Sequence, residues 1–75
     1  MNTETVTSPG LLNVEDAGRL EFCKKLKANI ANPDLPIIDP WILRLAYKFV
    51  AEPQPLLENQ REAIDKLRAK CEGKL

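Results

Sequence analysis

The side chains of this 75-residue chain with chemistry to offer are two cysteines, Cys23 and Cys71, and a pair of carboxylates at helical spacing, Glu58 and Glu62. The chain contains no histidine, so the commonest general base and metal ligand is missing. Two widely separated thiols lack the further ligands and the short spacing that zinc needs. Two carboxylates on the outside of a helix read most simply as a solvated pair. Most of the remaining acids stand at helix starts or at salt-bridge spacing, with Glu4 near the N-terminus. The expectation is a protein that is not an enzyme, holds no metal and uses no cofactor. Free buried cysteines behave as small hydrophobes. In an up-down-up bundle Cys23 lies at mid-helix and Cys71 near the far end, an axial offset of about 10 Å that a disulfide does not bridge.

What remains is chemistry of recognition. The run Trp41-Ile42-Leu43-Arg44-Leu45-Ala46-Tyr47-Lys48-Phe49-Val50-Ala51 is apolar except at two positions, and as a helix it would be greasy over most of its circumference. A chain this short has difficulty covering such a helix alone, and exposed contiguous apolar surface marks an interaction site. Arg44, Lys48 and Glu52 form the polar strip of this helix, Trp41 falls on it beside Arg44, and Trp, Tyr and Arg are the residue types most enriched at binding hot spots. An alternative places Trp41 back against Pro36 and Ile37 at the helix start. Gln60 has two readings as well: a polar group at a helix seam that fixes register or oligomeric state, or a partly exposed residue near the bundle end. The residues expected to meet a protein partner are Trp41, Arg44, Leu45, Tyr47, Leu57, Gln60, Ile64 and Leu67.

Eleven basic and eleven acidic residues give zero formal charge, which argues against nucleic acid and anionic lipid as partners. A basic side on the first helix, formed by Arg19, Lys24, Lys25 and Lys27, keeps a small dimeric DNA-associated regulator as the second reading. The apolar stretches are too short to span a bilayer. Two cysteines and a start, Met1-Asn2-Thr3-Glu4-Thr5, without basic or apolar signal regions point to a reducing, cytoplasmic setting.

The elements that position these residues are three helices, which makes the fold class all-α. Residues 1–12, rich in Thr, Ser, Pro and Gly, read as a flexible tail, with Leu11 and Leu12 able to tether it, and residues 13–75 as one helical domain. Asn13 as N-cap with Glu15 and Asp16 in the first turn starts helix one, and Asn32-Pro33 ends it, giving 14–31. Phe22, Leu26 and Ile30, with Cys23 beside them, form its buried stripe. Asp39-Pro40 starts helix two, 40–51, with Asp39 as cap. The connector before it carries Leu35, Ile37 and Ile38, expected to pack across the bundle. Pro55 opens helix three, 55–72, with Leu57, Gln60, Ile64, Leu67 and Cys71 at alternating three- and four-residue steps and Gly73 at its end. The functional expectation is a small interaction module of the inhibitor, antirepressor, adaptor or accessory-subunit kind. It binds and modulates a partner protein and self-associates as a homodimer.

Overall fold

A computed structural model describes residues 12–75 and shows three helices, α1 (Val14–Ala28), α2 (Pro40–Ala51) and α3 (Glu58–Cys71). The tail expected over residues 1–12 lies, except for Leu12, outside the described residues. Leu12 itself is partly buried against the core.

Helix α1 begins where its cap chemistry places it. Asn13 Oδ1 accepts the Asp16 amide at 2.7 Å from an extended backbone, satisfying one of the orphan N–H groups. The helix ends at Ala28, three residues short of the expected 31. The side-chain amide of Asn29 donates to the Lys25 carbonyl at 2.8 Å, in competition with the helical backbone, and its own N–H is shared between Lys25 O and Leu26 O. A side chain that satisfies the last carbonyls locally closes the helix there. Ile30 is consequently beyond the helix and 40% exposed rather than part of the buried stripe.

Helix α2 spans the expected residues. Pro40 occupies the first turn, but Asp39 makes no side-chain cap bond. Its backbone carbonyl instead accepts Ile42 N and Leu43 N at 3.0 and 3.1 Å. Of the three connector aliphatics, Leu35 and Ile38 pack against the core, whereas Ile37 is 97% exposed.

Helix α3 starts three residues later than Pro55 suggests. Leu56 is buried, and its amide points at Asp16 Oδ2, 3.5 Å away, so the chain stays non-helical through this anchor. Leu57 is the N-cap, and a leucine has no acceptor to offer the first turn. The return half of a capping box is nevertheless present, because Gln60 Oε1 accepts the Leu57 amide at 2.9 Å. At the other end Gly73 takes φ +82°, a left-handed conformation that favours glycine, and Lys74 N returns to Cys71 O at 2.9 Å.

The interior is one cluster: Cys23 and Leu26 from α1, Ala46 and Phe49 from α2, Leu56 from the connector, and Ile64, Leu67 and Cys71 from α3. Helices α1 and α3 run parallel, as their contacts advance together: Asp16 meets Arg61, Arg19 meets Asp65, and the Arg68 guanidinium lies 6.0 Å from the Phe22 ring centre. These pairs place Cys71 level with about residue 25. The axial separation of the two cysteines is thus about 3 Å at 1.5 Å per residue, smaller than the sequence suggests. Both are free and buried.

Candidate functional site

Two constellations of polar side chains stand out, and they differ in what they do. The first is internal. Asp16 is 1% exposed, and its Oδ1 accepts from Arg19 Nη1 at 2.6 Å while Arg61 Nε lies 3.6 Å away. Arg19 also donates through Nε and Nη2 to both oxygens of Asp65, at 2.8 and 2.9 Å. These hydrogen bonds hold the Asp65 carboxyl below its ordinary acidity and raise the Arg19 guanidinium above its own. The cluster joins α1, the approach to α3 and α3 itself. All three bonds of Arg19 go to carboxylates of the same chain, while Arg61 Nε, buried beside Asp16, makes no hydrogen bond, and the cluster ties α1 to α3 in register.

The second constellation is open. Trp41, Arg44, Leu45, Lys48 and Gln60 line a hollow of about 260 Å³ between α2 and the first turn of α3. Trp41 is 49% exposed, Leu45 is partly buried, and both cations are exposed. Successive turns of α2 place residues 41, 44, 45 and 48 on one face, and Gln60 is held over it by its bond to the Leu57 amide. Leu57, at the edge of this region by chain position, is 65% exposed. A smaller hollow beyond Lys48 and Leu45 continues towards Glu52, Gln54 and Pro55.

Four of the eight residues expected at a partner surface therefore converge on one hollow: Trp41, Arg44, Leu45 and Gln60. Leu57 adjoins them through its bond to Gln60. Tyr47 does not, since its ring faces α1, with the Lys27 ammonium 5.5 Å from its centre. Ile64 and Leu67 are corrected to the interior, at 0% and 5% exposure. Their spacing of three forms a stripe that the other two helices of the same chain already cover. Lys48 is the lining residue that the sequence reading missed, although it shares the polar strip of Trp41 and Arg44. Of the two readings of Gln60, the partly exposed one matches its position.

The basic side of α1 is partly occupied by the chain itself. Arg19 is committed to Asp16 and Asp65, Lys24 pairs with Glu21 at 3.3 Å, and Lys27 lies over Tyr47. Among the described residues no group of three His, Cys, Asp or Glu side chains is placed to hold a metal ion, and no helix is long and apolar enough to cross a membrane. Comparison of the chain with protein-family models, curated proteins and solved structures returns no match.

Proposed function

We propose that this protein is a non-enzymatic protein–protein interaction module that acts by occupying a surface of a partner protein and so modulates it. The observation that carries this reading is the half-exposed Trp41, set beside Leu45 in a hollow rimmed by Arg44, Lys48 and Gln60. A large aromatic left half in water on a folded chain retains hydrophobic free energy that a partner can collect, and burial of such a side chain is worth about 1.5 to 3 kcal/mol. An exposed Trp with an Arg on the next turn is also the composition of a binding hot spot. The adjacent Leu57 extends the apolar surface.

The reading favours protein over nucleic acid for an electrostatic reason. Net charge is zero, and Arg19, Lys24 and Lys27 on α1 already face partners within the chain, leaving Lys25 alone of that helix's basic side for phosphates.

A photo-crosslinking amino acid placed at position 57, and separately at position 15 as a control, tests the proposal in the native host. The expected result is a discrete protein adduct from position 57 that disappears in the W41A background and does not form from position 15. A folded protein that gives no adduct from position 57 would overturn it.

A further inference from the structure

We infer that the occupant of the Trp41 hollow is an acidic segment of another protein that presents a large apolar side chain between carboxylates. This rests on the interaction-module reading and adds the chemistry of the partner.

The argument starts from the signs of the groups around the hollow. Its own lining contains two cations and no carboxylate; Glu52, at the C-cap of α2, borders the smaller hollow beyond Lys48. Two larger hollows among the described residues are different: the one between α1 and α3 mixes Glu21 and Glu72 with Lys25 and Arg68, and the one beside Ile38 mixes Asp39 and Glu62 with Lys66 and Lys70. Among the described residues neither Arg44 nor Lys48 forms an ion pair, which is also true of Lys25, Lys27, Lys66, Arg68, Lys70 and Lys74; what sets this hollow apart is that its two cations share a lining without a carboxylate.

Hydrogen-bonding capacity points the same way. The guanidinium of Arg44, the ammonium of Lys48 and the indole N–H of Trp41 are donors without acceptor capacity. Gln60 is the one lining side chain with an acceptor, and one lone pair of its Oε1 is already taken by the Leu57 amide, while its side-chain N–H groups add donors to the rim. A rim of donors over an apolar floor fits carboxylates flanking a hydrophobic side chain. At about 260 Å³ the space is below the usual range for drug-sized ligands and suits a single side chain.

A second copy of this chain fits less well. A two-fold axis through the hollow would set Arg44 and Lys48 of one protomer against the same residues of the other, and like charges brought together oppose association. Nucleic acid offers anionic groups, but two cations engage too few phosphates for a useful affinity.

Trp41 is the only tryptophan, so its fluorescence reports on the hollow directly. The full chain is titrated with a capped amphipathic peptide of about fourteen residues built from Leu and Glu, and with its counterpart in which every Glu is Lys. The expected result is a saturable blue shift with the Glu peptide, binding about tenfold tighter than the Lys peptide. The double variant R44E/K48E, at two exposed positions and with unchanged circular dichroism, is expected to reverse that preference. Equal affinities, or tighter binding of the Lys peptide, would overturn the inference. So would a response to neither peptide; adducts from position 57 would then still support an interaction module, and their absence would remove both. A blue shift that grows with protein concentration alone, with a doubled mass in light scattering, would assign the hollow to a second copy. Stronger competition by a DNA duplex than by the Glu peptide would assign it to nucleic acid.

Discussion

Arg19 grips Asp65 with a two-pronged fork, Nε to Oδ1 at 2.8 Å and Nη2 to Oδ2 at 2.9 Å, across the gap between α1 and α3. The remaining nitrogen of the same guanidinium, Nη1, holds Asp16 at 2.6 Å. One planar cation thus serves two carboxylates in different surroundings: Asp16 is almost fully buried, while the side chain of Asp65 is 47% exposed. Arginine suits this position because its donors are fixed in a plane that matches a carboxylate edge. The parallel register of α1 and α3 follows from the arrangement, since a shift of one turn would break both bonds.

The asymmetry in burial predicts an asymmetry in cost. R19M leaves the Asp16 carboxylate buried with only Arg61 Nε at 3.6 Å and the Leu56 amide at 3.5 Å, and is expected to destabilise the chain by about 3 to 5 kcal/mol. D65N removes an exposed partner and is expected to cost at most about 1 kcal/mol. Urea unfolding at neutral pH measures both. Equal losses in the two variants would show that the buried half of the cluster carries no special weight.

The same fork predicts an acid limb of stability. Hydrogen bonds from Arg19 lower the Asp65 pKa in the folded chain, against an unfolded value of about 3.9. The stabilisation is complete above the unfolded value and is lost as pH falls through the lowered folded one. The upward shift of Arg19 acts below the unfolded guanidinium pKa, hence across the whole working range, and adds no slope in acid. Thermal melts below about pH 4 are expected to fall more steeply for the natural chain than for D65N. Because Asp65 is half in water, the difference is small and shrinks in molar salt. Superimposable profiles would remove the linkage.

Core and surface leucine-like residues separate cleanly. Phe49 and Leu67 sit in the central cluster at 3% and 5% exposure, and replacement by alanine is expected to cost about 3 to 5 and 2 to 5 kcal/mol through lost burial and the cavity left behind. Ile37 contributes nothing to that cluster, and I37S is expected to change stability by no more than about 0.5 kcal/mol. A large loss for I37S would mean that the connector packs more tightly than its exposure implies.

The thiols offer a probe of local opening. Burial pushes Cys23 up to about 11 and also raises Cys71, where Lys74 opposes the shift. A thiol reagent attacks the thiolate, so the folded chain is expected to label slowly at pH 8 and rapidly in urea. Cys71 closes α3, where fraying is easiest, and should label before Cys23. Prompt labelling of both in the folded chain would contradict the burial of α1 against α3.

Helix existence was legible in the chain because punctuation and periodicity agree: Asn13 caps α1, Pro40 opens α2, and Gly73 takes the left-handed turn after α3. The ends that shifted did so through side-chain bonds that no periodicity encodes, Asn29 to Lys25 and Gln60 to Leu57. Asp16 reads locally as a first-turn carboxylate suited to the helix dipole, and that reading is incomplete. Its burial depends on Leu56, forty residues away, which a local pattern does not reveal. At the candidate site the strip of Trp41, Arg44 and Lys48 was visible on a helical wheel. The assignment of Ile64 and Leu67 to the interior required knowing how far α1 and α2 reach around α3.

Gln60 links fold to recognition and allows the two to be separated. Its Oε1 satisfies the orphan amide at the start of α3, and its side chain also borders the Trp41 hollow. Q60A removes both contributions and is expected to cost about 1 kcal/mol in stability, the usual scale of a lost cap. Q60E keeps an acceptor for the Leu57 amide and adds a negative charge where the helix dipole favours one, so the fold is expected to be as stable as the natural one or slightly more so. The new carboxylate nevertheless sits on a rim whose charged members are Arg44 and Lys48, neutralising part of their field and repelling an acidic ligand. Q60E should therefore melt no lower than the natural chain yet bind the Leu/Glu peptide several-fold more weakly, and the gap should narrow as salt is raised. Loss of stability in Q60E would place the cap, rather than the charge, in control of the hollow. Unchanged affinity would show that the occupant does not sense the sign of the rim at this position.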